Sequence, residues 1–198
     1  MSKTDLYRSV AALHIANINQ GFLSSLGVGF LSLMYRAIDE GENSVLIIAE
    51  ADGKIVGFAT GGMGTGSIFR RMLRYWPQLC WALLPSAFSP RRVWRIVEIL
   101  RYSGGAGDTA LPVAELLSIA VDPAYRGQHR ADVLYRELCE HFTKCGVPAF
   151  KIVVGAALAP AHKFYKRMGA QAAAEVAVHG GAVSTVYVQA LVNTNVAE

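Results

Sequence analysis

The chain has 198 residues, 53% of them hydrophobic and 17% charged, with a net charge of +4. That length suits one domain, 1–198, with a sizeable core, and no apolar run approaches the roughly 18 residues of a membrane-spanning helix. Met1 to Arg8 lack the apolar core of an export signal, and Cys80, Cys139 and Cys145 are odd in number and lack metal-ligand spacing. The expectation is therefore a cytoplasmic protein with reduced thiols and no metal.

In chain order, residues from about Thr4 to Gly41 carry apolar positions at helical spacing. Leu13, Ile15, Ile18, Phe22 and Leu26 belong to a first helical region, and Phe30, Leu31, Leu33, Met34 and Ala37 to a second that Gly41 ends. Val45–Ala49 and Ile55–Ala59 are β-rich runs joined through Asp52-Gly53, which predicts a hairpin because Gly53 tolerates positive φ. Between Met63 and Gly105 lie Arg70, Arg71, Arg74, Arg91, Arg92, Arg95 and Arg101 against one acid, Glu98, together with Trp76, Trp81 and Trp94. This basic, aromatic insert, about 63–110, is predicted as two helices broken around Pro85 and Pro90. Leu116–Val121 then reads as a buried strand stopped by Pro123. Ala131, Leu134, Leu138 and Phe142 form the apolar stripe of a helix ended by Gly146, and Phe150–Val154 is the next strand. Pro160 opens a short helix through Met168, with Gly169 as its stop. Ala172–Val178 and Ala182–Leu191 form a second hairpin around Gly180-Gly181. The order is that of an α/β chain around one mixed sheet.

The stretch Val121-Asp-Pro-Ala-Tyr-Arg126-Gly127-Gln128-His129-Arg130-Ala131 joins a strand to a helix start through a Gly- and Arg-bearing turn. The first N–H groups of a helix have no internal partner and sit at the positive end of its dipole, so such a turn suits a phosphate, and two arginines suit a diphosphate. This stretch resembles the Arg/Gln-x-x-Gly-x-Gly/Ala signature of the GCN5-related N-acetyltransferase (GNAT) superfamily. The later Ala161, Tyr165 and Gly169 match that family's Ala-x-x-x-Tyr-x-x-x-Gly. Together the two signatures cover about Glu115 to Ala170. The resemblance implies a GNAT fold, a mixed central sheet flanked by helices, with the insert between the third and fourth strands. There are two departures. His129 stands where glycine is usual, and Leu158 where Asn is common. His is enriched in left-handed backbone relative to most residues, and its ring either donates to a phosphate or points away.

The resemblance further implies a transferase that moves an acetyl group from acetyl-CoA, as co-substrate, to a primary amine by direct attack. Pantetheine would lie against Ile119, Ala120 and Val121, paired like an added strand, and the pyrophosphate on Arg126, Gly127, Gln128, His129, Arg130 and Ala131. Tyr165 matches the family's general acid, and Glu115 lies where members often keep a catalytic glutamate. Ser118 either orients a substrate or is a satisfied core hydroxyl. His14, His141, His162 and His179 read as solvent-edge or helix-face residues, and no His partner is evident for a cysteine nucleophile. The insert has three readings: a lid presenting Arg91 and Arg92 to an anionic acceptor such as a nucleotide-linked amino sugar, a peripheral membrane contact, or a helical hairpin with solvated arginines. The expected partners are a small-molecule amine and a second subunit in a homodimer, and no nucleic acid. The alternative is a non-catalytic acyl-CoA-binding sensor or interaction module with the same fold.

Overall fold

The computed structural model describes residues 1–18, 22–87, 111–178 and 182–191. Helix α1 (Lys3–Asn17) starts at the N-cap Ser2, whose hydroxyl accepts the Asp5 amide at 3.2 Å. It ends sooner than the apolar spacing suggests. Ile18 is its C-cap, and Leu23–Leu26 form a separate 3-10 turn before α2 (Gly27–Asp39). Strands β1 (Ser44–Ala51) and β2 (Lys54–Gly62) meet at Asp52 and Gly53 with φ of 51° and 70°. Two successive positive φ values match the strand twist, which is why Asp-Gly specifies this hairpin.

The insert begins with α3 (Gly66–Met72), a 3-10 turn (Leu73–Tyr75) and α4 (Trp76–Ala87). Helix α4 carries Pro77 in its first turn, where proline forfeits no helical hydrogen bond and its fixed φ favours initiation, and it ends at Ala87, between Pro85 and Pro90. Pro90, Trp94, Arg91, Arg92, Arg95 and Arg101 lie outside the described residues. After them come β3 (Glu115–Val121), α5 (Arg130–Lys144), β4 (Ala149–Gly155), α6 (Ala159–Arg167), β5 (Gln171–Val178) and β6 (Ala182–Ala190). Counted along this chain, the insert lies between β2 and β3.

The strands form one six-stranded sheet in the order β1-β2-β3-β4-β6-β5. Only β3 and β4 are parallel; the other neighbouring pairs are antiparallel. Helices cover both faces. Tyr7, Val10, Phe30, Leu31, Tyr35 and Ile38 of α1 and α2 pack with Phe58 and Met72 on one side. On the other, Tyr135, Leu138 and Phe142 of α5 and Tyr165 of α6 pack with Leu116, Phe150, Ile152 and Tyr187. Gly61 permits the close approach of α5 to β2, since a Cβ there would lie 2.7 Å from both Leu138 and Phe142.

Two irregularities position the site. The β2–β3 register shifts between Thr60↔Ser118 and Gly61↔Leu116, leaving Leu117 as an extra residue on β3. Such a bulge bends its strand. The β3–β4 ladder consists of Glu115↔Lys151 and Leu116↔Ile152 alone. Beyond Leu116 the parallel strands part, and β3 runs on to Val121 without β4 beside it.

Candidate functional site

Ile119, Ala120 and Val121 lie in the parted segment. They pair with β2 on one edge, while the edge toward β4 has no strand partner. An extended polar chain can bind such an edge through the backbone alone. Val121 also begins the turn. Arg126 Nε donates to the Val121 carbonyl at 3.1 Å, and its Nη2 donates to Asn17 Oδ1 at 2.6 Å. Arg126 thus ties the end of β3 to the end of α1.

The turn itself is built by three local devices. Asp122 Oδ1 accepts the Ala124 amide at 2.9 Å and caps the 3-10 turn Pro123–Tyr125. Gly127 has φ of 76°, and a Cβ there would meet nothing within 4 Å, so its glycine answers to backbone angle rather than space. His129 is the N-cap of α5 with φ 57°, ψ 13°, the left-handed region. The residue that departs from the glycine pattern therefore keeps the glycine conformation. Its side chain caps no backbone amide, and the first helical bond runs from the Val133 amide to the His129 carbonyl. The amides of Arg130, Ala131 and Asp132 precede that bond, which leaves them for an anion.

These residues surround a cavity of about 260 Å³ lined by Val121, Tyr125, Arg126, Gly127, His129, Arg130, Ala131, Asp132, Phe164 and Arg167. Arg130 lies over the Tyr125 ring, 5.2 Å from its centroid. Sequence reasoning missed Asp132 and Arg167. Asp132 is buried, accepts both Arg167 guanidinium nitrogens at 2.8 and 2.9 Å, and is bonded to His129 Nδ1 at 3.0 Å. The Arg167 bonds, helped by His129, hold the Asp132 carboxyl well below its usual range. An acid in the first turn of a helix would oppose an anion there; here Arg167 and His129 engage both oxygens of Asp132. The available signal was spacing: Arg167 lies two residues after Tyr165, inside the Ala161–Gly169 signature.

Against known proteins, a profile described as "Acetyltransferase (GNAT) family" matches residues 15–170. The chain belongs to the GNAT acetyltransferase family. No curated protein sequence matches it. Among solved structures, an N-acetyltransferase from Staphylococcus aureus Mu50 is 18% identical, with TM-score 0.58, covering 96% of this chain and 94% of that one. The ribosomal-protein-S18-alanine N-acetyltransferase of Escherichia coli is 17% identical, with TM-score 0.52, over 96% and 93%. A Bacillus anthracis protein solved with acetyl coenzyme A, a candidate streptothricin acetyltransferase, is 13% identical, with TM-score 0.52, over 79% and 68%. These likenesses establish the fold. As GNAT acetyltransferases use acetyl-CoA, the reaction of this GNAT protein is acetyl transfer.

Tyr165, Glu115, Ser118 and Leu158 do not line the cavity at the start of α5. Tyr165, on α6, is 6% exposed in the cluster holding Leu116, Ile152 and Val154, beside the point where β3 and β4 part. Its ring meets Phe164, Tyr135 and Tyr187, and burial raises its pKa, so it is protonated at neutral pH. Among the described residues its hydroxyl has no hydrogen-bond partner. Glu115 begins β3, within the paired part of the ladder, 3.7 Å from Lys151 Nζ. Burial raises its pKa, opposed by Lys151. Leu158 is the N-cap of α6 and caps nothing, the consequence expected of Leu in place of Asn.

Ser118 is drawn inward. Its hydroxyl bonds Thr60 Oγ1 at 2.7 Å and the Tyr35 hydroxyl at 3.4 Å, and Tyr35 in turn bonds His14 Nδ1. This is the core-hydroxyl reading of Ser118. It also corrects the solvent-edge reading of His14, which is 5% exposed and stacked on Phe58. Burial pushes the imidazole pKa down to about 4, so it is neutral at pH 7. Helical spacing alone did not identify which face of α1 meets the sheet. His162 bonds the Tyr187 hydroxyl at 2.8 Å and reaches the Gly155 carbonyl at 3.1 Å. His179 lies outside the described residues. Cys145 does have a histidine neighbour: His141 Nε2 is 3.7 Å from its Sγ, one helical turn away. The pair sits at the C-terminal end of α5, about 20 Å along the helix from the turn.

The left-handed His129 gives a direct test of the turn. His129→Gly is expected to leave the fold intact and acetyl-CoA affinity within about threefold. His129→Val, β-branched at positive φ, is expected to cost about 1–2 kcal/mol in thermal unfolding. Equal melting temperatures for the two variants would show that the backbone at 129 carries no such constraint.

Proposed function

We propose that this protein transfers the acetyl group of acetyl-CoA to a primary amine of a small polar acceptor, an amino sugar being the leading candidate, with residues 1–198 acting as one cytoplasmic catalytic domain. The observation that carries the proposal is the open edge of β3 running directly into the amide-lined, arginine-rich turn at the start of α5. The co-substrate supplies an activated thioester. The backbone of Ile119, Ala120 and Val121 would bind its pantetheine arm. The amides and side chains of Arg126, Gly127, Gln128, His129, Arg130 and Ala131 would bind the pyrophosphate, with Arg167 as a further cation in the same cavity.

Attack by the amine lone pair on the thioester carbon breaks the C–S bond. The attacking nitrogen must lose a proton, and the departing sulfur benefits from one. Glu115 is the base that accepts the proton, directly or through water. Its burial raises its proton affinity above that of an exposed carboxylate, and Lys151 opposes the rise. Tyr165 is the acid that donates to the sulfur. The amino-sugar reading rests on the basic character of the insert, including Arg91 and Arg92 beyond the described residues. An anionic, nucleotide-linked acceptor would complement that charge.

Titration calorimetry with acetyl-CoA, followed by thiol-release assays over a panel of amines and amino sugars, tests the proposal. The expected result is binding in the micromolar range and thiol release that depends on an amine. Binding without turnover on any amine would instead support an acyl-CoA sensor. Absence of binding would overturn both.

A further inference from the structure

Helix α4 lacks the charged outer face of a surface helix. Its inner face is accounted for: Leu79, Ala82 and Leu83 pack on the core beneath α2, with Ala82 Cβ only 3.4 Å from where a Cβ on Gly29 would lie. Its outer face carries Trp76 at 66% exposure, Trp81 at 77% and Leu84 at 45%, and Leu73 at 59% extends this stripe onto the preceding turn. Leu73, Trp76, Trp81 and Leu84 follow one another at spacings of three, five and three residues, which groups them on one side. From Trp76 to Ala87 there is no charged residue. A helix apolar on both sides finds its low-energy setting against something less polar than water.

Cations flank the stripe. Arg70, on α3, and Arg74, on the turn entering α4, are exposed, and from Met63 to Ala87 three arginines face no acid in the sequence. Arg8 and Trp81 line one groove of about 630 Å³ between α1, α2 and α4. The neighbouring acids are engaged locally. Asp39 accepts from Tyr7 and lies 3.5 Å from Lys3, and Glu40 binds Arg36 and Tyr75. We infer that this face seats the protein on an anionic lipid bilayer, with Trp76, Trp81, Leu73 and Leu84 in the headgroup–acyl boundary and the arginines on lipid phosphates. Tryptophan suits that boundary because its ring is apolar while its N–H remains hydrated. At 12 residues α4 is about 18 Å long, too short to cross the roughly 30 Å hydrocarbon layer, so it lies in the plane of the surface. A second copy of the chain is the poorer fit, because a two-fold contact through this patch would bring like-charged arginines together.

Sedimentation with vesicles tests this independently of the catalytic proposal. Full-length protein is expected to sediment with mixed phosphatidylcholine–phosphatidylglycerol vesicles, with a blue shift of tryptophan emission, and far less with phosphatidylcholine alone. Trp76→Ser/Trp81→Ser is expected to weaken partitioning at least about tenfold. Arg70→Glu/Arg74→Glu is expected to remove the preference for anionic lipid and its salt dependence. Trp76→Ser/Trp81→Ser changes exposed side chains outside the cavity at the start of α5, and its acetyl transfer to soluble amines should be unchanged. Wild-type protein left in the supernatant at low salt, or variants that sediment as wild type does, would overturn the inference. So would light scattering that finds a dimer dissociated by the tryptophan substitutions without vesicle binding, which would assign the face to self-association.

Discussion

Tyr165→Phe is expected to lower kcat by about 10²-fold while changing the KM for acetyl-CoA by no more than a few fold. The split follows from position. Tyr165 is buried in the α6–β4 core beside the parting strands, and burial keeps its hydroxyl protonated. Phenylalanine preserves the ring contacts with Phe164, Tyr135 and Tyr187 and removes only a hydroxyl that bonds no described residue. Stability should therefore move by less than about 1 kcal/mol, so lost activity reads as lost chemistry rather than lost fold. Steady-state kinetics across pH, together with a melting curve, check both halves. An unchanged kcat at every pH removes Tyr165 as the proton donor.

Asp132→Asn is expected to cost about 2 kcal/mol at pH 7, a melting-temperature drop of roughly 4–8 °C. One buried carboxylate joins the helix that starts at the turn to the end of α6, through Arg167, and also fixes His129. The amide cannot accept both guanidinium nitrogens and loses the charge. The direction with pH follows from the depressed native pKa. Stability from a carboxylate held below its unfolded value is fully present above about pH 4 and is lost as pH falls toward the native pKa. The gap in melting temperature between wild type and Asp132→Asn should accordingly narrow on acidification below about pH 4. A gap that stays constant or widens would mean that Asp132 acts through packing rather than charge. Arg167→Ala, made alongside, should be much less than additive with Asp132→Asn, because both remove the same contact.

Much of this was legible before folding was considered, and the legible parts share a property: they are set by neighbours in sequence. Asp52-Gly53 specified its hairpin, Pro160 and Gly169 bracketed α6, and Gly127 marked a turn that needs positive φ. The Leu134, Leu138 and Phe142 stripe placed α5 on the sheet. Even the departure at His129 was readable as left-handed backbone, since histidine tolerates that region better than most residues. The insert was read less well. Its charge and tryptophan content were evident, but the interruption at Leu73–Tyr75 and the restart of the helix at Trp76, with Pro77 in the first turn, were not.

By itself, then, the sequence determined the α/β order, the family signatures and the phosphate-type turn, because turns, caps and helical stripes depend on a few consecutive side chains and their backbone angles. Tertiary structure alone decided how those parts become a cleft. The bulge at Leu117 and the parting of β3 from β4 arise from pairing with strands distant in the chain. Asp132 meets Arg167 across 35 positions, and Arg126 meets Asn17 across 109. His14 reaches Ser118 only through Tyr35. Such contacts are fixed by how helices close over a twisted sheet, and no local pattern encodes them.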